Sequence, residues 1–334
     1  MKTVFFGTSK YCLPILESLH AHFSLELIIT QPDKPFGRKK ILAPSPVKQW
    51  ALEHNISIAT PATLKKASHD HANLVNLLLR NPPDLVVVAD YGLIIPEDLI
   101  SVPKMGMFNI HFSKLPDLRG ASPVQFTLLR GDNTAWVTVF KLEKALDTGP
   151  IFWQKEYPVE PEDTTETLYI RLFQEVAREL PLLISKYGQE TATNNRLIPQ
   201  DNSQATYTRL LTKQDGFTEW QTLEKAVRGE RLEESELPPI QQEALKMKNP
   251  QTAIGKLSVR LRSGQSRALV EGLDNSQLLY SFYKAMTPWP GLWSIHPSGK
   301  RLKILKCRME NSKLIPELIQ YEGKKPSPSS ILNF

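Results

Sequence analysis

Cysteine is scarce: Cys12 and Cys307 are the only two in 334 residues, and they lie at opposite ends of the chain. That usage argues against a disulfide framework or a Cys-ligated metal site, and it suits a reducing, cytoplasmic setting. No apolar run reaches the roughly 20 residues that a membrane helix needs. The N-terminus starts directly on a strand-like Thr3-Val4-Phe5-Phe6-Gly7. No basic region and apolar run precede it, so no targeting segment is expected. A strong excess of one charge is also missing. The formal net charge is +6, so where the charge sits matters more than its sum. Chemical motifs are missing as well. The turn after the first strand holds one glycine, Gly7, where a dinucleotide site uses three. No Gly-x-Ser-x-Gly nucleophile elbow occurs. His20, His22, His54, His69, His71 and His296 offer no obvious partner to His111 for a two-His-plus-carboxylate site, so no metal is expected.

What is present reads as two domains. Residues 3–7, a helix over 10–22 and a strand Leu25 to Thr30 form a strand–turn–helix–strand unit, which favours a parallel sheet. A helix begins at 47–54, a short strand spans Ile56 to Ala59, and a helix spans 70–80 with Leu74, Leu77 and Leu78 facing inward. Asp84 to Ala89 is a continuous β-rich run, as expected of a central strand covered on both faces. Strands at 135–142 and 151–159 and a long helix from Thr165 to Tyr187, kinked or broken at Pro181, complete an α/β catalytic domain over 1–190. The expected class is a Rossmann-like, mostly parallel sheet with helices on both faces. Residues 191–220 read as a linker. The segment 221–277 is rich in mixed charge, with nine cations against eight acids, and reads as a solvated insertion with a short hairpin at 257–270. Residues 286–334 hold eight Lys or Arg against three Glu. Short strands at 302–306 and 314–321 suggest a small β unit there. A basic β unit behind an α/β enzyme suggests a nucleic-acid partner.

Two stretches carry chemistry. In Gly106 to Gly120, apolar residues run into Pro and Gly, as a buried strand does when it enters a loop. Asn109 and His111 share one strand face, at the carboxyl end where open parallel sheets bind ligands. Alone, Asn-x-His reads as a polar strand end with a satisfied His, and the rest of the chain has to shift that reading. If Asp147 converges on it, the set holds an amide donor, an imidazole and a carboxylate. It then suits direct transfer between two bound substrates at an activated carbonyl, with Asn109 donating to a developing oxyanion and His111 handling charge or a proton. The second stretch, 31–48, has four prolines and five cations. It reads either as a solvated loop without regular structure or as a basic arm that reaches phosphates, with Arg38 as its best anchor.

Several segments match a known family in order: Phe6-Gly7-Thr8-Ser9, Gln31 to Pro35, Pro44 to Lys48, Tyr91 to Pro96, Asn109-Ile110-His111, Leu115-Pro116 through Gln125, and Leu146 to Gly149. Ala205-Thr206-Tyr207, Pro288 to Gly291 and Glu322 to Pro326 follow. The chain resembles the methionyl-tRNA formyltransferases of the folate-dependent formyltransferase superfamily. The resemblance implies 10-formyltetrahydrofolate as donor and the amino group of initiator methionyl-tRNA as acceptor. It implies Asn109, His111 and Asp147 as the catalytic trio. Ser113, Lys114, Leu115 and Pro116 would contact folate, and the loop carrying Gly92, Leu93 and Ile94 would flank the pterin together with Leu146 to Gly149. Lys34, Arg38, Lys39 and Lys40 would enter the acceptor arm of the tRNA. The region 221–334 would be an OB-like tRNA-binding domain, incomplete if the 221–277 insertion displaces part of the barrel. A monomer with no membrane partner is expected. The chain departs from the family pattern at Lys114, Asp117 and Asp90. Two other readings share the trio: a formyltransferase acting on an amino sugar nucleotide, and a 10-formyltetrahydrofolate hydrolase with water as acceptor.

Overall fold

The computed structural model describes residues 1–36, 41–190, 197–247 and 275–329. They form two compact units, and the boundary is not a single cut near residue 190. The first unit comprises Met1–Gly120, Ala135–Tyr157 and Tyr169–Tyr207; the second comprises Ala121–Thr134, Pro158–Leu168 and Thr208–Phe334. Among the described residues no helix is long and apolar enough to cross a membrane.

The first unit is built on a seven-stranded sheet in the order Ile151–Pro158, Thr134–Lys141, Met107–His111, Leu85–Val88, Lys2–Phe6, Ser24–Ile29, Ser57–Ala59. The pairings from Met107–His111 through to Ser57–Ala59 are parallel, and Met107–His111 pairs antiparallel with Thr134–Lys141. The mostly parallel sheet is the one expected. Leu85–Val88 lies at its centre and is buried along its whole length. Phe6, Ile29, Val86, Val88, Leu74 and Leu78 share one core cluster.

Three local expectations are corrected. Leu77 is exposed on the His69–Arg80 helix, whose buried side is His71, Leu74 and Leu78. That stripe follows the i, i+3, i+4 spacing of one helix face, and Leu77 lies off it. The Thr165–Glu190 helix is not broken at Pro181. Leu180, Leu183, Ile184 and Tyr187 are buried on both sides of the proline, and their burial outweighs one lost backbone hydrogen bond. The 31–48 stretch is also not without regular structure. Lys34–Phe36 and Ile41–Ala43 pair antiparallel, and the Pro46–Glu53 helix follows, its Ser45 cap accepting from Lys48 N at 3.0 Å. A two-stranded ribbon has open edges, so Pro35 need not cost a ladder bond.

In the second unit, a four-stranded antiparallel sheet runs Leu292–Ile295, Arg301–Glu310, Lys313–Tyr321, Ser327–Pro328. The helices Pro123–Leu129, Pro239–Lys246 and Asn275–Met286 pack together. Fully buried Gln241 ties them, its Nε2 donating to the carbonyls of Leu129 at 3.3 Å and Leu278 at 2.5 Å. The described part of 221–277 is therefore no solvated insertion. Leu223, Ala226, Leu232, Leu237, Ile240 and Ala244 are all buried. The mixed charge sits on the outer faces of short amphipathic helices, and a charge count cannot see which face is buried. The expected 257–270 hairpin lies outside the described residues.

One ion pair here has a testable pH signature. Burial alone would raise the Asp215 carboxyl pKa. The hydrogen bonds from Arg209 (2.6 and 2.9 Å) and from Thr212 outweigh it and hold the group below its ordinary 3.8. A carboxylate depressed in the folded state stabilises fully above the unfolded value and loses that contribution as pH falls through the folded one. Asp215→Asn should cost about 1–3 kcal/mol near neutrality. The gap in melting temperature from the parent should narrow as pH falls below about 4. Equal gaps at pH 7 and pH 3 would contradict this.

Candidate active site

The site is built at the carboxyl end of the Met107–His111 strand, wholly within the first unit. Asn109 and His111 both lie on this strand, in register with Phe140 and Thr138 of its antiparallel neighbour. Asn109 is half-buried, and no protein group among the described residues takes its carboxamide. His111 is buried, and its Nε2 lies 2.9 Å from the Leu118 carbonyl. A carbonyl only accepts, so Nε2 carries the hydrogen and Nδ1 is the other ring nitrogen in play. Nδ1 lies 3.8 Å from Asp147 Oδ2. That carboxylate, also buried, accepts the Gly120 backbone N–H at 2.8 Å. The three residues expected to converge are therefore close in space, with an open amide beside an imidazole–carboxylate pair.

Backbone strain marks the same place. Leu118 and Asp147 have φ of +56° and +52°. Asp tolerates this left-handed region, whereas a bulky Leu there is a genuine outlier. The conformation of Leu118 aims its carbonyl at His111. The loop is held by Thr206, whose hydroxyl accepts from Leu118 N at 2.8 Å, donates to the Asp117 carboxylate and leaves the Thr206 carbonyl for Arg119 N at 2.9 Å. Asp117 thus has a structural use as a buried acceptor.

The other expected contacts are placed as follows. Ser113 is buried and donates to the Asp117 carbonyl at 2.5 Å. Leu115 lies in a small core with Phe140 and Ile151, and its peptide bond to Pro116 is cis. Lys114 is exposed, with its ammonium 4.4 Å above the Trp136 ring. The side chains of Ser113 and Leu115 are therefore committed to the interior. Gly92 has φ +84° in the Tyr91 to Pro96 loop, which is pinned where the Tyr91 carbonyl accepts from Thr8 at 3.0 Å and Gln31 at 2.7 Å. Leu93 packs partly on the core. Ile94 is 86% exposed, the most of any large apolar side chain described, and Leu146 before Asp147 is 58% exposed. Lys34 is exposed and donates to Gln31. Arg38, Lys39 and Lys40 lie outside the described residues.

A cleft of about 550 Å³ opens in the same unit, lined by Glu97, Lys104, Gly106, Lys141, Leu142 and Thr148 among others, and by none of Asn109, His111 and Asp147. Its volume suits a cofactor-sized ligand, and Thr148 follows Asp147 directly in the chain. Cys12 is no rival nucleophile. Burial, reinforced by the charge of Asp90, pushes its thiol up to about 12, and a buried thiol of that kind is inert.

Sequence reasoning missed four residues that hold this site. Thr138 donates to the Ser113 carbonyl at 2.6 Å, and Gln154 donates to Thr138 and to the Leu115 carbonyl, both at 2.9 Å. Gln200 and Thr206 sit in the stretch read as linker. Thr206 lies in the family-matching Ala205-Thr206-Tyr207, which says nothing of its hold on this loop, and Gln200 has no sequence signal beyond a polarity that a linker shares.

Known proteins supply a further measure. Residues 1–184 match the Formyl transferase family model. A methionyl-tRNA formyltransferase of Dictyoglomus thermophilum is 38% identical over 224 residues, covering 66% of this chain and 68% of its own. One from Dehalococcoides mccartyi is 41% identical over 223 residues, covering 66% and 69%. Among solved structures, a methionyl-tRNA formyltransferase from Clostridium thermocellum covers 96% of this chain and 98% of its own at TM-score 0.53 and 14% identity. A sugar N-formyltransferase from a Shewanella species covers 92% and 97% at TM-score 0.53 and 15% identity. The two structures agree on the fold and do not discriminate between acceptors.

Proposed function

The chain belongs to the formyl transferase family, and from that membership we propose that it moves the formyl group of 10-formyltetrahydrofolate to the free amino group of initiator methionyl-tRNA. The choice of acceptor rests on one observation, the 38–41% identity to methionyl-tRNA formyltransferases over two thirds of their length. In this reading the methionyl amine attacks the formyl carbon. A carbon–nitrogen bond to the amine forms, the bond to folate N10 breaks, and one proton passes from the amine to N10. The Asn109 amide donates to the oxygen that becomes an oxyanion. His111 Nδ1 takes the amine proton and returns it to the leaving nitrogen. Asp147, at 3.8 Å, stabilises the imidazolium that forms between those steps. Holding both reactants in line supplies much of the rate. The cleft beside Thr148 takes the pterin, and Ile94 and Leu146, exposed apolar side chains on the two neighbouring loops and not part of the cleft lining, are available to flank it.

The tRNA would be held by charge on both units. In the hairpin region Lys48 is paired with Asp33 at 2.7 Å, so Lys34 and 38–40 carry the arm. In the second unit the three tail acids are all paired: Glu322 with Arg301, Glu317 with Lys306 and Arg308, and Glu310 with Arg308. Lys303 is held below the ordinary lysine range by burial and by its cationic neighbours Arg301 and Lys213. A concentration of positive charge of this kind favours an anionic partner. A cytoplasmic location belongs to the same reading.

The test supplies the protein with formyl donor and charged initiator tRNA. Formyl-methionyl-tRNA should accumulate. Formate released without it would sink the proposal in favour of a hydrolase, and faster use of an amino sugar nucleotide would move the enzyme to the sugar branch. Arg38→Ala should raise KM for the tRNA by about tenfold or more, the loss of one charge-assisted phosphate contact, with KM for folate little changed. An equal rise for both substrates would mean the loop is no RNA arm.

A further inference from the structure

Asp147 is gripped from two sides. Gln200 Nε2 donates to the carbonyls of Asp147 at 2.9 Å and of Gly149 at 2.7 Å. Gln200 Oε1 accepts from Arg119 Nε at 3.1 Å and Nη2 at 2.8 Å. Arg119 is only 1% exposed and also donates to Asn202 Oδ1 at 2.8 Å and to the Tyr207 hydroxyl at 3.1 Å. Its neighbour Gly120 donates to Asp147 Oδ2 at 2.8 Å. The Arg119-Gly120 dipeptide thus fixes the carboxylate directly and, through Gln200, the backbone that carries it.

The chemistry of the chain of contacts is directional. A guanidinium has only donors, so the Gln200 atom that faces Arg119 must be the amide oxygen. The NH2 end then has to face the 147–149 loop, where it finds two carbonyls. Arg119 thereby decides which way round Gln200 stands. The grip matters because Asp147 sits at φ +52°, a left-handed conformation that an Asp can adopt but is not confined to. Relaxation of that residue would swing its carboxylate away from His111.

We propose that Gln200, oriented by buried Arg119, is the positioning residue of Asp147: by holding the 147–149 loop it sets the distance between the carboxylate and His111. The inference rests on the reading of Asp147 as catalytic. Gln200→Glu is the incisive variant. It keeps shape and an acceptor for Arg119 but turns an oxygen toward two carbonyl oxygens. Gln200→Met removes the donors without adding charge and serves if the glutamate variant does not fold. Steady-state kcat and KM, with single-turnover rates beside them, are compared for the parent, each Gln200 variant, Asp147→Asn and the double variants.

The expected result is a fall of about 10- to 100-fold in kcat, the scale of an ångström-sized misplacement. KM for both substrates should stay within about threefold. In the Asp147→Asn background the same Gln200 change should cost less than about twofold, because both changes remove one function. A parent-like kcat in the Gln200 variants, alongside a slow Asp147→Asn, overturns the positioning role alone. So does an equal loss in both backgrounds, which marks a general structural role. A parent-like Asp147→Asn overturns the catalytic reading and the positioning role with it.

Discussion

Replacing His111 by alanine should lower formyl transfer by about 10²- to 10⁴-fold, the usual worth of a positioned acid–base group. The protein should stay folded. His111 ends a strand, and among the described residues its ring makes one hydrogen bond, to the Leu118 carbonyl at 2.9 Å, with an edge contact to Phe140 at 6.5 Å between ring centres. Losing them leaves one carbonyl to be hydrated and no large void in the main core. The change should act on kcat, since the imidazole is asked to handle a proton in the transition state and not to bind either substrate. The rate should not be restored by more folate or more tRNA. Steady-state kinetics on purified variant with intact circular dichroism would decide. A rate within tenfold of the parent would leave Asn109 and substrate alignment as the whole of catalysis and remove His111 from the mechanism.

Gly149→Ala should damage both stability and activity. A Cβ there would sit 1.8 Å from the Lys141 carbonyl oxygen and 3.4 Å from the Phe140 ring. The obstacle is backbone in a paired strand, which cannot step aside as the end of a flexible side chain could. The loop must move instead. Lys141 N donates to the Pro150 carbonyl at 3.0 Å and Gln200 donates to the Gly149 carbonyl at 2.7 Å, so movement breaks contacts that hold the loop just after Asp147. Overpacking of this kind typically costs about 1–3 kcal/mol, and displacement of Asp147 by about an ångström adds up to roughly 10²-fold in rate. Urea unfolding and turnover on the same preparation would test it. A variant with unchanged midpoint and unchanged kcat would show that the strand end yields freely.

How much of this was legible in the sequence can be read from particular residues. The central strand at 85–88 and its neighbour at 107–111 were, because continuous β-rich runs bounded by Gly and Pro carry their own signal. Asn109 and His111 could be assigned to one face from the period of two alone. The packing of residues 220–247 was not legible, since a mixed-charge stretch with short apolar stripes looks the same whether it faces solvent or a core. Nor was the role of Gln200 and Thr206, which lie in a polar run indistinguishable by composition from a linker.

The sequence by itself determined the alternation of strands and helices, the family, and the residue types available for chemistry at the end of the Met107–His111 strand. Those depend on local period and on residue identity. Tertiary structure alone decided that Asp147, 36 positions after His111 in the chain, comes to 3.8 Å from its ring. It also decided that buried Arg119 and Gln200 fix the loop that brings Asp147 there. Hydrogen bonds that span 51 to 88 residues of sequence depend on which segments fold over which, and no local pattern records that.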